Sequence, residues 1–185
     1  MKATSVFLSL FLLLNVTASV FAGYDEWNIL HDEAVTSYVK RKYDQALVAE
    51  KKALEIAEKK KTAMIPFSLM SLGLIHQAQG QYEEAEAAFR RALTIQENAS
   101  GPDNLSLVNS TLGEIGKLYE VQGRNLEAET IYKRILANQE KMFGPNDFAV
   151  MDGLGNLIDL YFKTGRYEEA ELLKARGDRI SKMKR

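Results

Sequence analysis

Gly80-Gln-Tyr-Glu-Glu-Ala-Glu86 returns as Gly123-Arg-Asn-Leu-Glu-Ala-Glu129 and again as Gly165-Arg-Tyr-Glu-Glu-Ala-Glu171. The three glycines are spaced by 43 and 42 residues, and a weaker copy, Arg41-Lys-Tyr-Asp-Gln-Ala-Leu47, precedes them. Self-similarity at a fixed period of this length indicates a repeat architecture, in which each copy is one supersecondary unit. The fold therefore has to be built from about four similar units.

Each copy has the pattern of a helix, a turn and a second helix. Before Gly80, one helical face is formed by positions spaced i, i+3, i+4 and i+7, namely Leu69, Leu72, Gly73 and His76. After Gly80, a second face follows with Ala85, Phe89 and Ala92. Glycine takes the left-handed conformation that ends a helix without steric cost, so the recurring glycine predicts the turn. The small alanine at positions 46, 85, 128 and 170 predicts a close crossing of the two helices.

This spacing, Leu69-x2-Leu72-Gly73-x2-His76 and then Ala85-x3-Phe89-x2-Ala92, resembles the tetratricopeptide repeat. The period here exceeds the usual length of about 34 residues, and it is similar to the kinesin-light-chain-type variant with a 42-residue repeat. The resemblance implies an all-α fold, a right-handed α-solenoid of about four antiparallel helix pairs. The copies are expected at residues 27–62, 66–103, 108–146 and 150–185, within one domain that spans residues 23–185.

Residues 1–22 have the pattern of a secretory signal peptide. Lys2 precedes an apolar run, residues 6–14, and Val20-Phe-Ala22 supplies small residues for cleavage before Gly23. The run is shorter than the ~20 apolar residues that span a bilayer, although an uncleaved membrane anchor is the alternative interpretation. We therefore expect an exported protein, periplasmic or extracellular, with no membrane insertion after cleavage. The absence of cysteine favours a bacterial periplasm.

The composition of the 185 residues excludes several classes of function. With no cysteine, the chain has no thiolate metal site, cysteine nucleophile or disulfide scaffold. Its formal net charge of −1 argues against a nucleic-acid partner, since such proteins carry a basic excess. No glycine-rich phosphate loop, nucleophile elbow or zinc-protease motif occurs in the sequence.

The remaining titratable residues do not form a catalytic pattern. His76 takes the place that Tyr119 and Tyr161 hold in later copies, which indicates a packed histidine. His31 stands alone with adjacent acids that point in other directions on a helix. The glutamate pairs recur in each copy after the turn, as helix N-terminal charges do. We therefore predict no catalytic, metal or cofactor site, and no enzyme.

The resemblance implies a concave groove lined by the first helix of each copy. Carried over position by position, the predicted partner-binding residues are Tyr38, Phe67, Met70, Leu74, Gln77, Lys117, Glu120, Asp159 and Phe162. The same positions also include Asn28, His31, Val35, Ser110, Gly113, Asp152 and Gly155. The first half of this groove is apolar and aromatic, whereas the second half is charged and contains glycine, which leaves room for a peptide backbone.

The function predicted from these observations is a non-enzymatic interaction module or scaffold of the cell envelope. It would bind a peptide segment of a protein partner in the groove. The alternative is a self-assembling structural protein that uses the open ends of the solenoid, with Trp27 at a dimer contact. The expected oligomeric state is a monomer or a weak homodimer.

Overall fold

The computed structural model describes residues 25–99 and 104–183, which form helices and turns and contain no strand. The α-helices are α1 (25–39), α2 (Tyr43–Lys59), α3 (Ile65–Ala78), α4 (Tyr82–Asn98), α5 (Asn104–Val121), α6 (Asn125–Phe143), α7 (Met151–Lys163) and α8 (Tyr167–Met183). A 3-10 helix, Phe148–Val150, leads into α7. The predicted all-α class is confirmed, and α2 packs against α3, α5 against α6, α6 against α7 and α7 against α8. The predicted leader, residues 1–22, lies outside the described residues.

The described residues divide into two compact units, one that ends at residue 88 and one that begins at residue 89, with the boundary inside α4. In the first unit, the Trp27 ring packs with Ala53 and Ala57 of α2, and its Nε1 donates a hydrogen bond of 2.7 Å to Ser68 Oγ. In the second unit, the buried apolar side chains come from the helical faces: Leu112, Ile115, Leu118, Tyr132, Leu154, Leu157, Leu160 and Ile180. Each unit thus has its own apolar core.

The turn between the two helices of a copy is a Schellman motif. Gly80, Gly123 and Gly165 have φ of +75°, +71° and +76°, as predicted. After α3, Gly80 N donates to Gln77 O at 3.0 Å and Gln81 N donates to His76 O at 2.9 Å. These two bonds satisfy carbonyls that the end of an α-helix would leave unpaired. The glycine therefore sets the point where the chain reverses.

Copy one makes the same turn without glycine. Arg41 has φ of +58°, its N donates to Tyr38 O at 2.8 Å, and Lys42 N donates to Ser37 O at 2.9 Å. A non-glycine residue in the left-handed region costs roughly 1–2 kcal/mol. The turn after α2 also has a non-glycine residue in the left-handed region, since Lys61 has φ of +50°. The first copy therefore carries backbone strain at both of its turns.

Close helix crossings follow from small residues, as the sequence predicts. The four repeat alanines, listed by position as 46, 85, 128 and 170, are fully buried. Two helical glycines also permit close contact between helices of the second unit. A Cβ on Gly116 would lie 2.3 Å from Tyr132 Cε1 of α6, and a Cβ on Gly153 would lie 2.9 Å from Leu136 Cα. Glycine is required at both positions because of space, since neither has a positive φ.

Candidate binding groove

In the first unit, the predicted groove positions lie on one side of α1 and α3. Val35 and Phe67 are 44% and 42% exposed, although both are large and apolar. The other predicted positions of this unit are half-buried: Asn28, His31, Tyr38, Met70, Leu74 and Gln77. Leu69 and Leu72, on the opposite side of α3, are buried. The predicted helix register is therefore correct in this unit, and it leaves an apolar surface accessible.

His31 is held in place by a stack and an ion pair. Its ring lies against Trp27, with centroids 4.6 Å apart and planes 13° apart. Its Nδ1 lies 2.8 Å from Oε2 of Glu50, whose side chain is fully buried in α2. This hydrogen bond, more than the opposing effect of burial, raises the pKa of His31 above its ordinary value of 6.5. The stack and the ion pair make His31 a structural residue that connects α1 to α2.

In the second unit, four predicted positions meet at one cleft. Ser110, Gly113 and Lys117 of α5 face Asp152 of α7 across a space of about 490 Å³. Side chains of α6 close the bottom of the cleft: Ile135, Gln139, Met142 and Phe143. A Cβ on Gly113 would meet no atom within 4 Å, so the cleft stays open there. This opening suits the approach of another chain's backbone.

The charges of this cleft are unevenly matched. Lys117 Nζ donates to Glu114 Oε1 at 2.9 Å, and Lys163 Nζ donates to Glu120 Oε2 at 2.7 Å. Both lysines are thereby neutralised by a carboxylate of α5. Asp152 and Asp159, both exposed on α7, form no direct ion pair among the described residues, although Lys163, besides its hydrogen bond to Glu120, also interacts electrostatically with Asp159. The surface around α5 and α7 consequently carries an excess of two negative charges.

The phenol of Tyr132 lies beside one of these carboxylates, Glu120. Its OH donates a hydrogen bond of 2.5 Å to Glu120 Oε1. Burial raises the pKa of Tyr132 far above its ordinary value, and the charges of Glu120, Glu114 and Asp159 raise it further. The phenol therefore remains a proton donor at any physiological pH. Its hydrogen bond fixes Glu120 at the edge of the groove.

A second network, of hydrogen bonds and ion pairs, joins α7 to its neighbouring elements. Tyr161 OH donates to Glu129 Oε1 at 2.8 Å, and Arg166 pairs with the same carboxylate while its guanidinium lies 4.0 Å above the Tyr161 ring. The hydrogen bonds from Arg166 lower the pKa of Glu129 to about 2, against the effect of burial. These contacts connect α6, α7 and the turn before α8. They hold α7, and with it Asp152, in position.

The remaining predicted positions lie beyond this cleft. Asp159 and Gly155 lie further along α7, and Phe162, which is 38% exposed, stacks at a tilt with Tyr167 at a centroid distance of 6.2 Å. Glu120 is half-buried near the end of α5. Glu114 and Asn156, which were not among the predicted positions, also line the cleft, one residue after Gly113 and Gly155. Their identical place in two copies was the available signal.

No group of three or more metal-ligating side chains occurs within residues 25–99 and 104–183. Over the same ranges, no helix combines the length and hydropathy that a membrane span requires. His76, the second histidine, is half-buried, and its Nδ1 lies 2.5 Å from Gln81 Oε1 in the following turn. It is a structural residue at the end of α3.

Two family models, both described as the tetratricopeptide repeat, match residues 68–105 and residues 107–177. The chain belongs to the tetratricopeptide repeat family. The resemblance deduced from the leucine, glycine and alanine spacing is therefore confirmed. A comparison with curated proteins finds no match.

Several solved structures share the fold. A putative kinesin light chain from Podosopora anserina with nearly identical TPR-like repeats aligns with a TM-score of 0.71 and 19% identity, over 86% of this chain and 76% of that one. BtubC (BKLC) from P. vanneervenii gives 0.70 and 21%, over 85% and 63%. The apo quorum sensor NprR from B. thuringiensis gives 0.66 and 23%, over 93% and 47%. At these identities the likeness establishes the solenoid fold class of the family and nothing about partners.

Proposed function

We propose that this tetratricopeptide protein is a non-enzymatic interaction module that binds a peptide segment of a partner protein along the first helices of its copies. The family is generally a non-catalytic interaction module, which supports this proposal at the level of the fold. The observation that carries it is the contrast between the two sides of α1 and of α3. One side is buried in the core, whereas the predicted groove side keeps large apolar side chains such as Phe67 exposed.

The cleft of the second unit adds a shape argument. A volume of about 490 Å³ with an apolar bottom is within the range of clefts that take ligand groups. Gly113 opens its wall, because no atom lies within 4 Å of the position that a Cβ would occupy. A peptide backbone can therefore approach α5 more closely here than at any ordinary side chain.

The test is selection from a displayed random-peptide library on the immobilised full chain. Selected peptides are then measured against two tryptophan variants of the chain. Gly113→Trp fills the open space in the cleft, and Ala137→Trp places the same ring on an exposed position of α6 outside the cleft lining. We expect selected peptides to lose at least tenfold in affinity for Gly113→Trp and to bind Ala137→Trp as tightly as the unmodified chain.

Two outcomes contradict the proposal. One is a set of selected peptides that bind Gly113→Trp as well as they bind the unmodified chain, because the cleft is then not the site. The other is a selection that yields no peptide at all, although circular dichroism shows the chain folded. Turnover of a substrate by the purified chain would contradict the non-enzymatic part.

The burial of Trp27 does not support the self-assembly alternative. Trp27, the aromatic residue offered for a dimer contact, is only 6% exposed and packs within its own unit. Its one polar atom is satisfied by Ser68. We therefore do not propose Trp27 as an assembly contact.

Export and a role in the cell envelope are also proposals. They are supported by the signal-peptide pattern of residues 1–22 and by the absence of cysteine. Expression of the full chain in a bacterium, followed by fractionation and intact-mass measurement, tests them. We expect a periplasmic or secreted product that begins at Gly23, and a product that keeps Met1 inside the cell would contradict them.

A further inference from the structure

We propose that the groove of the second unit selects a basic peptide in the polyproline II conformation, with two lysine or arginine residues three positions apart. This inference rests on the proposed function and names the partner chemistry for one part of the groove. The two aspartates of α7, their spacing and the surface between α5 and α7 support it.

The charged side chains of α5 and α7 favour a cationic partner. Glu114 and Glu120 already hold Lys117 and Lys163 in ion pairs of 2.9 and 2.7 Å. A partner carboxylate would meet lysines whose positive charges these glutamates already balance. An incoming cation, in contrast, meets Asp152 or Asp159 without breaking any ion pair that the structure describes. The electrostatic complement of this surface is therefore positive.

The spacing of the two aspartates then sets the spacing in the ligand. Asp152 and Asp159 are seven residues apart on α7, which is about 10.5 Å along the helix axis at ~1.5 Å per residue. A polyproline II chain has three residues per turn and rises ~3.1 Å per residue, so residues three apart project from the same side about 9 Å apart. A β-strand would place residues three apart on opposite sides.

The surface between the charges suits this conformation. Met142 and Phe143 of α6 are 37% and 49% exposed at the cleft, where they offer an apolar surface to proline rings. Gly113 and Gly155 leave the facing walls of α5 and α7 open, since no atom lies within 4 Å of a Cβ at either position. Aromatic-lined grooves of this kind take polyproline II segments because the ligand is already ordered before it binds.

Fluorescence anisotropy with three labelled peptides tests the proposal on the full chain. All three have the same proline-rich host sequence. The first carries two lysines three positions apart, the second carries them two positions apart, and the third carries glutamine in their place. We expect the first peptide to bind tightest, and its affinity to fall between 50 and 200 mM salt because exposed ion pairs are screened.

The variant of the chain is Asp152→Asn with Asp159→Asn, and its matched control is Glu168→Gln with Asp178→Asn. The control removes the same charge from exposed positions of α8. Two exposed ion pairs predict a loss between about 2- and 30-fold for the first variant with the first peptide. The control variant should bind the first peptide as the unmodified chain does.

Equal binding of the lysine and glutamine peptides overturns the charge selection, and equal binding of the two lysine spacings overturns the conformation. Loss of affinity in both charge variants would reveal only a general field effect and would also overturn the assignment. Failure of the first peptide to bind refutes this inference alone. Library peptides that Gly113→Trp rejects would still support the proposed function.

Discussion

Two glycines of α5, three residues apart, should respond to alanine with opposite signs. At Gly113 a Cβ meets no atom within 4 Å, so Gly113→Ala should stabilise the chain by about 0.5–1 kcal/mol through the helix propensity of alanine. At Gly116 the same Cβ would lie 2.3 Å from Tyr132 Cε1 and 2.7 Å from Cζ. Real Cβ atoms do not come so close, so the ring or the helix has to move.

The magnitude follows from the cost of overpacking. Inserting a methyl group into a packed contact costs about 1–3 kcal/mol, while the gain in helix propensity is the same at both positions. The two variants should therefore differ by about 1–3 kcal/mol in the free energy of unfolding, with Gly116→Ala the less stable. For a chain of this length each kcal/mol corresponds to roughly 2–4 °C in Tm.

The assay is urea unfolding followed by far-ultraviolet circular dichroism, with Tm as a second reading. A double-mutant cycle with Tyr132→Leu isolates the contact, because Gly116→Ala should cost less once the ring is absent. Equal stability of the two glycine variants would refute the close approach of α5 and α6 at Tyr132. On α7, Gly153→Ala should be less stable to unfolding than Gly155→Ala for the same reason. A Cβ on Gly153 would lie 2.9 Å from the Leu136 Cα atom.

Three further substitutions test other parts of the fold. Arg41→Gly removes a left-handed arginine and should raise the free energy of unfolding by up to about 1 kcal/mol in urea titrations, and a loss would contradict the Schellman turn. Because the Glu50 hydrogen bond raises the pKa of His31, the stabilisation from the pair is complete below pH 6.5 and is lost as pH rises through the raised value. Melting curves from pH 5 to 9 should show this decline in the parent chain and not in His31→Gln. Ala128→Glu buries a charge without a partner and should unfold the chain, as seen by circular dichroism, while Ala137→Glu on the exposed side of α6 should not.

The sequence predicts the helices and the turns well, because these depend on residues close in the chain. Gly80 ends a helix by its own backbone preference, and Ala128 permits a crossing by its own size. The charge pattern of the groove could not be predicted in the same way. The sequence gives no partner for Lys163, yet this lysine pairs with Glu120, which lies 43 positions earlier in the chain. The 3-10 helix before α7 was not predicted either. Asp147 caps this helix by accepting a hydrogen bond from Ala149 N.

The first helix pair combines three local energetic costs. Arg41 and Lys61 hold left-handed turns without glycine, and among the described residues Glu50 Oε1 is buried with no hydrogen-bond partner. In copies two and three an aromatic residue, Phe89 or Tyr132, takes the place of Glu50. Local opening concentrates where native contacts are weakest, so amide protons of α1 and α2 should exchange with solvent faster than those of α5 and α7. A ligand that contacts α1 would suppress this opening, and part of its binding energy would appear as slowed exchange at the amino-terminal end.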